Sequence, residues 1–234
     1  MILETVDGDR RSIIGTIGVA IPTIPPREYF LARARRSVDA QTLKADAVAV
    51  AVDRHGDGAA ATRNIAWRAL ETDWVAFLDD DDELLPHHLE HLATVAHQSG
   101  ADMVYPWHTI IGPELLPLPD LLRAQGKPFD PWELFGGDPA LIDAEDFTAG
   151  GRNFIPINVL VRRELLEQAG GFAEVRGGEA TNEDWLMWRR LVKLGAEIVH
   201  TPEVTWHWHH HRKNTSGRAD RWAVGHPSQT EAPL

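Results

Sequence analysis

Along the first half of the chain the apolar positions alternate between short unbroken runs and helical stripes. Residues 13–21 are apolar and β-branched with glycine interspersed, and Pro22 ends the run; this predicts a buried strand, then a loop over 23–26. Over 27–41, Phe30, Leu31, Ala34 and Val38 share one helical face, with Arg33, Arg35 and Arg36 largely elsewhere. Residues 45–52 predict a second strand, ending in the loop Asp53-Arg54-His55-Gly56-Asp57-Gly58. A helix follows over 59–70, then a short strand over 74–78 that runs straight into Asp79, Asp80, Asp81 and Asp82. Pro86 opens another helix reaching about Ser99, and 101–105 predict a fourth strand.

Strands and helices in strict alternation predict an α/β fold with a doubly wound, mostly parallel central sheet between helical layers. In such sheets ligands sit at the carboxyl ends of the strands. Asp53 and Asp79 both fall at such an end, so the pattern alone brings two carboxylates to one edge.

The second half is less regular. Residues 106–151 are rich in Pro, Gly and Trp, with one short helix expected over 118–124; loops this long tend to be functional. A strand is expected over 158–161, helices over 163–169 and 183–194, and two short strands over 197–200 and 204–208. After Asn214 the chain turns polar. The expected organisation is one domain over 1–216, with halves at 13–105 and 106–216 and a tail at 217–234.

Composition narrows the chemistry. With 234 residues and 43% hydrophobic content the chain can build a full core. It has no cysteine, which excludes a disulfide scaffold, a thiolate zinc site and a cysteine nucleophile. A net charge of -12 gives no overall footprint for nucleic acid and makes such an acceptor less expected. The acidic start MILETVDGDRRS lacks the basic, then apolar, pattern of a signal peptide. No apolar stretch approaches the ~20 residues that span a bilayer. A soluble, cytoplasmic protein is expected.

Four consecutive carboxylates with Glu83 beside them repel one another, and a divalent cation removes the conflict. Mg²⁺ and Mn²⁺ prefer oxygen ligands, usually one or two carboxylates plus substrate phosphates. The plainer reading is a solvated acidic turn ahead of the Pro86 helix. Glu183 and Asp184 likewise suit the first turn of a helix capped by Asn182, by charge and dipole alone. The run Trp206-His207-Trp208-His209-His210-His211 puts His207, His209 and His211 on one face of a strand, as metal or phosphate ligands or as a plain strand end. Trp185 and Trp188 sit at core spacing, whereas Trp107 and Trp132 lie in the irregular middle, where the ring of a ligand could stack.

Several of these segments together resemble glycosyltransferase family 2, with its GT-A fold. They are Val19-Ala20-Ile21-Pro22-Thr23, Val52-Asp53, Ala61-Thr62-Arg63-Asn64-Ile65-Ala66, Phe77-Leu78-Asp79-Asp80-Asp81-Asp82, Gly170-Gly171-Phe172 followed by Glu183-Asp184, and the histidine strand ending in Asn214-Thr215-Ser216. The resemblance implies a Rossmann-like three-layer α/β/α sandwich and transfer of a sugar from a UDP- or GDP-type nucleotide-sugar, with Mn²⁺ or Mg²⁺ as cofactor and inversion at the anomeric centre. It implies that Asp53 binds the base with Thr23 beside it, and that Arg63 reaches the base or the phosphates. Asp79 and Asp81 become the D-x-D pair, with Asp79 or Asp80 facing the ribose and Asp81 on the metal. Asp184 becomes the general base with Glu183 beside it, and His211, ahead of His209, the additional metal ligand. The Pro-rich loop after Thr23 and Arg54-His55 after Asp53 depart from the family pattern and leave the nucleotide base open. The sequence does not select the acceptor. A sugar-phosphate nucleotidyltransferase would use a similar sheet and metal but needs a Gly-rich basic loop where Thr23-Ile24-Pro25-Pro26 stands. A non-catalytic nucleotide-binding protein would have no use for Asp79, Asp81 and Asp184 together.

Overall fold

The structure, a computed structural model, describes residues 2–5, 12–111, 155–174, 183–209 and 211. The elements in chain order are β1 (Ile2–Thr5), β2 (Ile17–Thr23), α1 (Glu28–Asp39), β3 (Ala47–Val52), α2 (Ala59–Arg68), β4 (Trp74–Phe77), β5 (Glu83–Leu84), α3 (His88–Ser99), β6 (Met103–Ile111), β7 (Leu160–Arg162), α4 (Arg163–Gln168), α5 (Glu183–Lys193) and β8 (Ile198–His209). The chain forms two compact units. One comprises Met1–Thr109 with Ile155–Trp208, the other Ile110–Phe154 with His209–Leu234.

The strands form one sheet in the order β1-β3-β2-β4-β7-β6-β8-β5. Its centre, β3-β2-β4, is parallel, with Val19 opposite Val48 on one side and Ala76 on the other. Every residue of β2 is buried, as expected of a strand covered on both faces. The period-two alternation sorts the side chains into two layers. Ile17, Val19 and Ile21 join Val48, Val50, Trp74 and Ala76 in a cluster with Ala34 and Val38 of α1 and Leu89, Leu92 and Ala96 of α3. The opposite face packs on α2 and α5: Phe77 meets Phe172 edge-on at 5.2 Å, and Phe172 meets Trp188 at 6.0 Å. Gly18 also points to that face, where a Cβ would lie 2.8 Å from Leu70. The fold is thus α/β, with helices on both faces of a parallel-centred sheet.

Several details differ from the sequence reading. Pro22 lies inside β2 rather than ending it, because pairing with β4 stops at Ala20 and no ladder bond is lost. The strand expected at 101–105 does not follow β4 in the sheet: β7 lies between them and runs antiparallel to both. Local periodicity carries no information on such a return. The two short strands expected near the end are one strand, β8, which runs through Thr201-Pro202-Glu203. Thr201 is tolerated inside because its hydroxyl meets His91 Nε2 at 2.7 Å. β1 and the two-residue β5 carry too little pattern to be seen beforehand. The expected helix over 118–124, Trp132 and the tail lie outside the described residues.

Candidate active site

The carboxyl ends of β2, β3 and β4 lie along one edge, since Thr23 is the register partner of Val52 and all three strands run parallel. Thr23, Asp53 and Asp79 therefore arrive together. The Asp53 amide donates to the Thr23 carbonyl at 2.8 Å, and the Thr23 hydroxyl donates to Asp80 Oδ2 at 2.5 Å. Asp53 itself organises the loop behind it. Its Oδ1 accepts from the amides of His55, Gly56 and Asp57 at 3.1, 2.7 and 3.0 Å, and its Oδ2 from Gly58 at 2.9 Å. Burial opposes that charge, but the four amides outweigh it and hold the carboxyl below its ordinary pKa.

The aspartate turn is internal rather than splayed into solvent. Asp80, Asp81 and Asp82 are 2%, 6% and 2% exposed. The turn closes with the Asp82 amide on the Asp79 carbonyl at 3.1 Å. α1 holds the segment that follows: the Leu84 amide donates to the Ser37 hydroxyl, and Gln41 bonds the Leu85 carbonyl and the Leu89 amide. Burial, then repulsion from Asp79 and Asp80, pushes the Asp81 carboxyl up, with Arg27 acting against the shift. Burial likewise raises Asp80, opposed by Thr23 and Arg27. Carboxylate oxygens of Asp79, Asp81 and Asp82 all lie within 4.8 Å of one another. Three hard oxygen donors converging in a mostly buried turn fit Mg²⁺ or Mn²⁺.

Two guanidinium groups balance the turn. Arg63 on α2 is 5% exposed, and its Nη2 donates to Asp79 Oδ1 at 2.9 Å while its Nη1 donates to Glu183 Oε1 at 2.7 Å. Its guanidinium also stacks over Phe172 at 5.6 Å. Arg27, just ahead of α1, pairs with Asp80 at 2.9 Å and Asp81 at 3.2 Å. Arg33, six residues further on in α1, donates to the Asp81 carbonyl. Arg63 is thus the link that joins the aspartate turn to the start of α5.

The residue beside it, Asn64, performs a different task. Its amide nitrogen donates to the Phe172 carbonyl and its carbonyl oxygen accepts from the Phe172 amide, both at 2.9 Å. The turn before Phe172 needs glycine. Gly171 has φ +84°, and a Cβ there would fall 2.6 Å from Asn64 Oδ1. The Ala-Thr-Arg-Asn segment and the Gly-Gly-Phe segment are therefore two halves of one contact.

Asp184 lies in the first turn of α5, where a carboxylate gains from the helix dipole. Its Oδ1 accepts from the Trp185 amide at 2.7 Å. Burial, and then Glu183, push its pKa up to about 6, against the Trp185 amide and Arg63; Asp79 adds a smaller upward push. A carboxyl at that value ionises just below neutral pH, which is where a general base works best.

Of the residues singled out from sequence, Thr23, Asp53, Arg63, Asp79, Asp80, Asp81, Glu183 and Asp184 fall within the first compact unit and are joined by the contacts above. His209 ends β8 and His211 follows it, both in the second unit, and their role as ligands rests on the sequence pattern. His207 approaches Glu83 at 3.9 Å. Trp188 is core as expected, whereas Trp185 is only partly buried. The sequence reading passed over Arg27 and over Asn158, which donates to Asp82 at 3.4 Å. Arg27 had one signal: four adjacent carboxylates need cations, and it is the first cation after the β2 strand.

Residues 36–170 match the sequence model of the family Glycosyl transferase family 2. No curated protein matches the chain. Among solved structures, it is similar to Staphylococcus aureus TarS in complex with UDP-GlcNAc (TM-score 0.60, 14% identity, 87% of this chain and 62% of that one). It is also similar to TarS in complex with UDP (TM-score 0.58, 15% identity, 84% and 61%). A third is the mannosyltransferase PcManGT from Pyrobaculum calidifontis in complex with GDP-Man and Mn²⁺ (TM-score 0.58, 14% identity, 86% and 57%). At such identities the likeness is one of fold. The chain spans less than two thirds of the length of each of these structures.

Proposed function

Because the chain belongs to glycosyl transferase family 2, we propose that it moves a sugar from a nucleoside-diphosphate sugar to an acceptor hydroxyl, with inversion at the anomeric carbon. The observation that carries this reading is the Arg63 bridge. By holding Asp79 with one nitrogen and Glu183 with the other, Arg63 puts the aspartate turn and Asp184 in one cluster.

In this reading Thr23, Asp53 and Asp80 line the nucleoside side, on the carboxyl edge of the parallel strands. Asp79, Asp81 and Asp82 supply oxygens for a divalent cation. When bound, such a cation neutralises charge on a departing diphosphate, commonly an effect of several kcal/mol. Arg63 holds Asp79 in place and adds positive charge on the same side. Asp184 takes the proton from the acceptor hydroxyl, and Glu183, fixed by Arg63, keeps its neighbour raised. Attack from the face opposite the diphosphate inverts the centre. The nucleotide-sugar and metal complexes of similar solved structures are consistent with a UDP- or GDP-type donor and Mn²⁺. No described helix is long and apolar enough to cross a membrane, and a cytoplasmic place of action belongs to the same reading.

The test is a melting screen of UDP- and GDP-sugars with and without Mn²⁺ or Mg²⁺, followed by donor hydrolysis without acceptor. A donor that raises Tm only when metal is present, and is then slowly hydrolysed, supports the assignment. Release of pyrophosphate from a nucleoside triphosphate would instead favour a nucleotidyltransferase. A chain that binds donor and turns nothing over would be a binding protein.

A further inference from the structure

The nitrogen Arg27 Nη1 serves two carboxylates that have different surroundings. Asp80 Oδ1 lies 2.9 Å away, and the other oxygen of Asp80 is already fixed by the Thr23 hydroxyl. Asp81 Oδ2 lies 3.2 Å away and belongs to the group whose oxygens converge with those of Asp79 and Asp82. All three side chains are nearly excluded from water, at 13%, 3% and 9% exposure. Burial weakens the Arg27 charge, but Asp80, then Asp81 and Asp79, more than restore it. The same guanidinium thus grips one carboxylate that anchors the nucleoside edge and one that fits a cation.

A divalent ion settling among Asp79, Asp81 and Asp82 competes with Arg27 for Asp81 and repels it at short range. It has no such claim on Asp80, whose bond is shorter and backed by Thr23. A guanidinium pushed off Asp81 but still held at Asp80 turns the released N–H toward the cluster, where a diphosphate provides acceptors in the fork geometry that arginine matches.

We propose that Arg27 is the placeholder cation of the aspartate turn: it holds Asp81 in the metal-free protein, yields it to the divalent ion, and then contacts the nucleoside diphosphate. By this account Arg27 binds Asp81 in one state and the nucleotide in the other, and it makes metal and nucleotide bind with positive coupling. The inference rests on the reading of the turn as a metal–diphosphate site.

The coupling is measured by Mn²⁺ titration, followed by electron paramagnetic resonance of the free ion, at pH 8. Wild type and Arg27→Gln are each titrated alone and with saturating UDP or GDP. Removing the placeholder should tighten binding of Mn²⁺ alone by about tenfold and shrink the enhancement of Mn²⁺ affinity by nucleotide; by reciprocal linkage, the enhancement of nucleotide affinity by Mn²⁺ shrinks by the same factor as the latter. Unchanged or weaker binding of Mn²⁺ alone to a folded Arg27→Gln variant overturns the proposal. Should that variant fail to melt cooperatively, the wild type still decides. Its Arg27 Nε–Hε resonance, assigned with Arg27→Lys, should move as Mg²⁺ saturates, and a stationary resonance overturns the proposal. If neither protein binds metal with or without nucleotide, the metal–diphosphate reading itself is wrong. If both bind it equally, only the role of Arg27 falls.

Discussion

Arg63 and Glu183 meet at 2.7 Å across 120 positions of sequence, and the same guanidinium reaches Asp79 at 2.9 Å. The side chain is almost fully enclosed, so its charge is balanced by these carboxylates rather than by water. Removing one partner of a buried ion pair leaves the other uncompensated, at about 3–5 kcal/mol. Arg63→Ala should lose stability of that order in urea denaturation, and donor turnover should fall with it. A variant as stable as wild type would show that water replaces the guanidinium freely.

Asp184 should set the acid limb of the pH profile. Its pKa is raised to about 6, so log kcat/KM should climb with unit slope below that pH and level off above it. Asp184→Asn should lower kcat by roughly 10²–10⁴-fold while leaving donor affinity near wild type. The same substitution should stabilise the fold at higher pH. Between the ordinary carboxylate value and about 6, the folded chain keeps a proton that the unfolded chain has released, so stability falls as pH rises through that window. The advantage of the asparagine, about 1–2 kcal/mol for a partly buried group, should be present above the window and absent below it. An active Asp184→Asn enzyme would move the base elsewhere.

Chelation should abolish transfer, and added Mn²⁺ or Mg²⁺ should restore it. At a metal concentration 100 times its Kd, the native state gains about 2.7 kcal/mol, visible as a rise in Tm. Asp81→Asn should lose most of that rise. Equal metal-induced shifts in the two proteins would show that the cation binds away from Asp81.

His88 gives a stability prediction separate from the site. It is fully buried, its Nδ1 lies 2.7 Å from the Thr205 hydroxyl, and burial pushes its pKa down to about 3. The neutral ring therefore belongs to the folded state. Stability from this group is present above the ordinary histidine value and is lost as pH falls towards about 3, at up to about 1.4 kcal/mol per pH unit. The stability difference between wild type and His88→Asn, measured in urea at a series of pH values, should shrink as pH drops from 6.5 towards 4. A difference independent of pH would mean that the ring is charged or hydrated in the folded protein.

Much of the site could be read from the sequence because its parts are local. An apolar run followed by Thr23, another by Asp53 and a third by Asp79 place three groups at strand ends once the sheet is parallel there. What stayed hidden is pairing at a distance. Nothing near Arg63 announces Glu183, and nothing near Asn64 announces the Phe172 backbone, since both contacts form only when remote segments fold against α2. The antiparallel β7 was invisible for the same reason. Arg27 was overlooked because its neighbours Ile24, Pro25 and Pro26 read as a plain loop, although the charge of the turn demanded a cation.

The Asp53 loop carries a final implication. Four successive amides converge on one carboxylate, so this loop takes its shape during folding. Under the proposed function, an arriving nucleoside would meet a loop that is already rigid, and little ordering entropy would be left for binding to supply there. Any adjustment to the ligand belongs to the opposing arginines, whose long side chains can exchange partners without moving the backbone.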